Sequence, residues 1–165
     1  MPQKTIGQAI GFGPVLTGAA YVNAHREEPG VIRRSGGQQL VFGELNGADT
    51  PRTARLCEVF QQAGIIAEAR TDIKLAIWEK FAGISAAGAQ AVVRLPLGPV
   101  LACPETREFV RQTIAEAVAV GRAYGVMLPD NYAERFIAMI TPFPAWTKRP
   151  AAAWSWRRSM GRWSA

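Results

Sequence analysis

The sequence is poor in the residues that hold metals or cross-link chains. Among 165 residues it has one histidine, His25, and two cysteines, Cys57 and Cys103. One imidazole and two thiols far apart along the chain make no recognisable metal shell. So few cysteines also exclude a disulfide scaffold, and both thiols are expected to be buried and reduced, as in a cytoplasmic protein. Nor is there a membrane-length apolar run. The uncharged stretch from Phe81 to Val93 is short and rich in small and polar residues, and no signal-like run follows Met1. A dinucleotide phosphate loop is missing as well. Gly11-Phe12-Gly13 leads into Pro14 and a strand pattern, whereas the fingerprint needs a strand before it and a helix after it. His25 stands beside Arg26, Glu27 and Glu28 with no Ser or Cys assignable as its partner, which points to an exposed loop residue rather than a catalytic base.

Acid is the next absence. From Trp146 to Ala165 the charged residues are Lys148, Arg149, Arg157, Arg158 and Arg162 only, so nearly all of the net charge of +6 belongs to this tail. The tail also holds Trp146, Trp154, Trp156 and Trp163, four of the five tryptophans, and has neither helical nor alternating periodicity. Arginine with tryptophan could serve nucleic acid or an anionic membrane, but a non-native, disordered tail is favoured over that reading. What remains is close to charge balance. With 48% hydrophobic and 19% charged residues overall, the chain is expected to be globular and soluble. It is too short for a complete two-domain dehydrogenase of about 300 residues.

Along the chain, Val15–Val22, Val31–Arg34 and Gln39–Gly43 read as strands of a short meander, separated by Pro29-Gly30 and Gly36-Gly37. Asp49-Thr50-Pro51 offers a cap and a first-turn proline, and Leu56, Val59, Phe60 and Ala63 continue at helical spacing until Gly64. Ile65–Ala69 reads as a strand. Thr71-Asp72 opens a long helix to about Val92, ended by Pro96. After a Pro/Gly-rich turn, a helix from Pro104 turns Val110, Ile114, Ala117, Val118 and Tyr124 inward and stops at Gly125. A last helix turns Tyr132, Phe136, Met139 and Ile140 inward. Strands with one helix and then helices alone predict the end of an α/β domain followed by an all-α domain, with the seam near Thr71.

Lys80 is the residue that breaks the pattern. On the helix from Asp72, Ile73, Ala76, Ile77 and Ile84 form an apolar stripe, and Lys80 falls inside it, three residues after Ile77 and four before Ile84. The plain account is an aliphatic stem packed on apolar neighbours with its ammonium in solvent. The sharper one is an ammonium turned into a cleft between domains, where partial desolvation lowers its pKa and suits it to protonate a developing alkoxide during carbonyl reduction.

The runs Gly18-Ala19-Ala20-Tyr21, Pro29-Gly30-Val31-Ile32-Arg33, Phe42-Gly43-Glu44-Leu45, Ala63-Gly64-Ile65, Asp72-Ile73, Ile77-Trp78-Glu79-Lys80 and Pro104-Glu105-Thr106-Arg107 together resemble the ketopantoate reductase (2-dehydropantoate 2-reductase) family over about residues 14–140. The resemblance implies NADPH-dependent reduction of a 2-keto acid in pantothenate biosynthesis, with Lys80 as catalytic general acid. It implies that residues 1–71 are the last part of a Rossmann-like NADP-binding domain and 72–145 an incomplete helical C-terminal domain. No metal and no cofactor-binding residue is assigned, because the family's phosphate loop is not among these residues. Three departures accompany it. Ile84 and Gly88 stand where well-known members have substrate-holding asparagines. The early phosphate-loop segment has no counterpart here. The family's late Glu-containing stretch is missing, although residues 153–165, back-translated with permitted codons and read one base out of register, resemble it. Residues 146–165 are therefore expected to be an out-of-frame peptide, and the chain a truncated member inactive by itself. The alternatives are a non-catalytic protein binding nucleic acid or anionic membrane through the Trp/Arg tail, or one pairing with itself or a full-length paralogue.

Overall fold

The structure, a computed structural model, describes residues 2–142. The Trp/Arg tail expected to be out of frame lies outside the described residues. The described residues form two compact units, divided within a helix after Lys80.

The first unit is built on a three-stranded sheet of order β1-β2-β3, with β1 Thr17–Glu28, β2 Val31–Gly43 and β3 Ile66–Ala69. β1 and β2 pair antiparallel from Thr17 opposite Gly43 to Glu28 opposite Val31. β2 and β3 pair in parallel, with Gln39 opposite Ile66 and Phe42 opposite Ala69. Two of the three expected meander strands, 31–34 and 39–43, are one strand, β2, so the meander is a hairpin, and the strand expected at 65–69 is β3, added in parallel. Gly30, at φ +83°, makes the hairpin turn. Gly36-Gly37, expected to end a strand, stays within β2. Gly37 has φ +68°, the register slips opposite it between Tyr21 and Asn23, and a Cβ there would strike the Tyr21 carbonyl oxygen. Two glycines in a strand pattern therefore mark a bulge here and not a turn. His25, expected in a loop, is half-buried within β1 opposite Arg33.

The parallel pair requires a crossover, supplied by α2 (Pro51–Gln62). Thr50 is its N-cap, and Thr50 and Thr53 satisfy each other's backbone N–H in a capping box, with Pro51 in the first turn. Phe60 on α2 meets Phe42 on β2 edge to face at 5.6 Å, and Gln61 donates to the Ala67 carbonyl at 3.1 Å. Beneath this crossover, Arg52 forks onto both carboxylate oxygens of the buried Glu44 and also donates to the Gly13 carbonyl, while the Thr50 hydroxyl donates to Glu44 at 2.9 Å. One carboxylate thereby ties the approach to β1, the end of β2 and the start of α2. Before β1 runs an unexpected helix, α1 (Pro2–Ile10).

The long helix expected from Asp72 to Val92 is two helices, α3 (Ile73–Ser85) and α4 (Ala87–Val93). At the break the Ser85 hydroxyl donates to the Ala82 carbonyl at 2.6 Å, and Ala86 and Ala89 bond three residues back. The Pro/Gly-rich turn contains α5 (Leu97–Ala102), whose Leu97, Val100 and Leu101 are buried; Pro99 lies in its first turn, where no intrahelical N–H is needed. α6 (Pro104–Ala123) buries Val110, Ile114, Ala117 and Val118 as expected, but Tyr124, just past its end, is exposed. The chain leaves α6 through Gly125 at φ +77°, with the Val126 N–H returning to the Gly121 carbonyl. Arg122 donates to the Leu128 carbonyl and pairs with Asp130, fixing the turn into α7 (Tyr132–Ile140). α7 buries Ala133, Ile137 and Ile140, while Met139, expected inward, is exposed. Residues three and seven apart define the face that the neighbours cover; Met139 falls beside it. Neither cysteine is fully buried as expected: Cys57 is half-buried on α2, and Cys103, at the entry to α6, is exposed.

The α7 assignment predicts that Ile140→Ala destabilises the protein by about 2–5 kcal/mol and Met139→Ala by at most about 0.5 kcal/mol, measured by urea denaturation; equal effects would contradict the burial. Glu44 is held below the usual carboxylate range chiefly by its hydrogen bonds from Arg52, against a desolvation cost, with Thr50 adding to the lowering. A depressed folded pKa contributes stability that is present above the unfolded value and lost as pH falls through the folded value. Glu44→Gln should therefore flatten the acid limb of a stability–pH profile below the ordinary glutamate pKa, while leaving the neutral-to-basic limb parallel to wild type.

Candidate functional site

The first turns of α3 lie on the sheet. Ile73 and Ala76 are completely buried against Ala19 of β1 and Val41 of β2, with Ile77 packed on the same cluster. Burying such aliphatic side chains is worth about 1.5–3 kcal/mol each for the larger ones, so this contact fixes where the helix sits. Lys80 is one turn beyond Ala76 on the same face, where the apolar cluster ends. The half-buried side chain reaches the strand, and Lys80 Nζ donates to the Ala20 carbonyl. Its ammonium also stands over the Tyr21 ring, 5.2 Å from the centroid. A cation at that distance is attracted by the ring's electron-rich face, worth about 0.5–1 kcal/mol at an exposed site. Lys80 is therefore held at β1 by a carbonyl and a ring. Ile84, the next member of the expected apolar stripe, is 54% exposed, so the stripe does not continue as a buried face.

In the sequence Tyr21 stands only within a family run and carries no chemical role of its own. The signal that finds it is strand alternation. Residue 19 is buried under α3, so residue 21 points to the same side of the sheet. Its hydroxyl makes a long hydrogen bond, 3.5 Å, to the Ala76 carbonyl. Burial first, and then the nearby Glu79 carboxylate, push its pKa above the ordinary tyrosine value, with Arg70 acting weakly in the other direction. The phenol is thus a neutral donor at physiological pH.

Two cavities lie elsewhere in the first unit, and Lys80 lines neither. One, about 510 Å³, sits where β3 ends and is lined by Asp49, Thr53, Glu68, Arg70, Thr71 and Asp72 among others. Arg70 forks onto Asp72 at 2.6–2.7 Å, and these hydrogen bonds hold the Asp72 carboxyl below the usual carboxylate range. The other, about 360 Å³, is lined by Phe12, Val15, Thr17, Glu44, Asn46 and Lys74 among others.

A nicotinamide dinucleotide does not fit the described residues. Gly11-Phe12-Gly13 follows helix α1 and precedes β1, the reverse of a phosphate loop. The helix that does follow a parallel strand, α2, has its N-terminus closed by the Thr50–Thr53 capping box and faced by the Glu44 carboxylate. Pyrophosphate needs open N–H groups and positive potential at such a terminus, and both are denied. Among the described residues no three His, Cys, Asp or Glu side chains form a group able to hold a metal ion, and no helix is long and apolar enough to cross a membrane.

Removing the Glu79 charge should bring the Tyr21 pKa down toward the ordinary tyrosine value. The measurement is the ultraviolet tyrosinate titration, taken as the difference between each protein and its Tyr21→Phe counterpart; a Glu79→Gln curve that coincides with wild type would mean that the carboxylate does not act on the phenol.

Comparison with known proteins includes this helix. The family described as ketopantoate reductase PanE/ApbA C terminal matches residues 72–151, beginning where α3 does. The 2-dehydropantoate 2-reductases of Halobacterium salinarum and Mesorhizobium japonicum are each 33% identical to the chain, over 124 and 129 residues, which are 73% and 78% of it. The chain spans 40% of the length of each of these relatives. The crystal structure of 2-dehydropantoate 2-reductase from Geobacter metallireducens superimposes with a TM-score of 0.82 at 25% identity, covering 93% of this chain and 51% of that one. A small α/β sheet leading into helices of the ketopantoate reductase C-terminal type, with the sequence relatives to match, places the chain in the ketopantoate reductase family.

Proposed function

We propose that this chain carries the proton-donating part of a 2-keto-acid reductase site and that Lys80 is its general acid. The observation that supports this most directly is the ammonium held at Ala20 on β1, on the helix where the family match begins. Reduction of a 2-keto acid places negative charge on the former carbonyl oxygen. An ammonium within hydrogen-bond reach stabilises that charge and transfers one proton to it, leaving a neutral amine that regains its proton from water. NADPH is the hydride source that the family resemblance implies, and residues 1–71 and 72–145 would be the end of its Rossmann-like domain and the helical domain.

The substrate class is a 2-keto acid of which 2-dehydropantoate is the reference member. At the positions where the resemblance expects substrate-holding asparagines stand Ile84 and Gly88. A site built to hydrogen-bond a group discriminates strongly because its polar partners would otherwise be left unpaired; without the amides that discrimination disappears. The reading is therefore a reductase relative that favours a less hydroxylated 2-keto acid. Because the described residues do not cradle a pyrophosphate, these 165 residues alone are not expected to turn over.

Two measurements test this. Calorimetric titration of NADPH into the chain, with and without 2-dehydropantoate, should show no saturable heat and no oxidation of the nucleotide; micromolar saturable binding would overturn the account of the missing cradle. Substituting residues 17–142 for the corresponding stretch of the Halobacterium salinarum reductase should give an enzyme in which Lys80→Ala lowers kcat about 10²- to 10⁴-fold against a panel of 2-keto acids. An alanine variant as fast as its parent would remove Lys80 from the chemistry.

A further inference from the structure

A lysine is a poor tool for directed proton transfer unless something fixes it. Its ammonium is a compact point charge on a flexible four-carbon stem with three equivalent donors. In this chain Ala20 supplies one acceptor, and a single carbonyl leaves the stem free to swing about it. The second contact is the Tyr21 ring, whose centroid is 5.2 Å from Nζ.

Three features hold that ring in place. Strand alternation turns Tyr21 to the side of the sheet that α3 covers, as it does Ala19. The Tyr21 hydroxyl reaches the Ala76 carbonyl, one helical turn before Lys80 on α3, so the ring is tethered to the same helix that carries the lysine. The β-bulge begins directly after Tyr21, opposite Gly36-Gly37, where the close approach of Gly37 to the Tyr21 carbonyl admits no Cβ. Bulges re-aim side chains at functional sites. With its hydroxyl committed to Ala76, the phenol itself is not the proton source.

Resting on the reading of Lys80 as general acid, we propose that Tyr21 is its positioning residue: the ring face and the Ala20 carbonyl together hold the ammonium against β1 and leave one N–H for the substrate's keto oxygen. The Arg52–Glu44 pair and the two cavities play no part in this arrangement.

Reductive dimethylation with ¹³C-formaldehyde keeps the charge of each lysine and makes it visible by NMR; Lys80→Arg identifies the Lys80 signal among those of Lys4, Lys74 and Lys148. In the full chain the Lys80 methyl resonance should be displaced upfield of that of Lys74 by the ring current of Tyr21, and should show cross-relaxation to the Tyr21 ring protons. Tyr21→Phe, which keeps the ring and loses the hydroxyl, should retain the displacement. Tyr21→Leu, checked for folding by circular dichroism, should return Lys80 to the Lys74 position. A wild-type Lys80 signal coincident with Lys74 and without ring contacts would overturn the proposal, and this reading needs only the charge-conserving assignment variants Lys80→Arg and Lys74→Arg to fold. So would a folded Tyr21→Leu protein with the Lys80 signal unmoved. The two readings fail separately. A ring-shifted Lys80 that can be replaced by alanine in the chimeric reductase without loss would sink the general acid and leave the positioning intact, whereas an essential Lys80 with no ring shift would do the opposite.

Discussion

The seating of α3 on the sheet is the contact on which the site depends. Ile73 and Ala76 are completely buried against Ala19 and Val41, so the helix can neither rotate nor slide without exposing aliphatic surface. The proposed chemistry rests on the residue one turn later. Lys80 lies on the same face as Ala76, but the apolar cluster has ended there, so a long polar side chain can use the backbone of β1 as its partner. Had the stripe continued as buried surface, a lysine in it would have required a paired anion or lost its charge.

A second constraint works just past the end of β2, beside the start of α3. Glu44 collects Arg52, the Thr50 hydroxyl and, through Arg52, the Gly13 carbonyl. This closes the start of α2 with side chains of the protein itself. In a βαβ unit that terminus is where a phosphate would otherwise bind, and here the same N–H groups are spent on capping. The unit is thus a structural βαβ element that supports the Lys80 face and offers no cradle to a nucleotide.

Much of the architecture could be read from local signals. Thr50-Pro51 began α2, Gly64 and Gly125 ended helices with the left-handed conformation that only glycine adopts easily, and the period of Val110, Ile114, Ala117 and Val118 named the buried face of α6. The errors share a cause. Gly36-Gly37 signals a backbone that needs freedom, and whether that freedom makes a turn or a bulge depends on the partner strand. Pro96 and Pro99 suggested a turn, yet proline is tolerated in a first helical turn, and burial of Leu97, Val100 and Leu101 made one. Ile84, Tyr124 and Met139 were apolar or aromatic residues at helical spacing whose exposure is set by what covers each helix face.

The candidate site divides in the same way. A charge within an apolar stripe is a property of residue order, so the sequence by itself singled out Lys80, and the general-acid role proposed for it comes from the family resemblance. The company of that lysine was decided by tertiary structure. Tyr21 is 59 positions from Lys80 in the numbering and joins it only because β1 passes beneath α3. Local sequence encodes helix faces and strand alternation through periods of 3.6 and 2. Which face meets which strand depends on the packing of elements distant in the chain, and there the ammonium found its carbonyl and its ring.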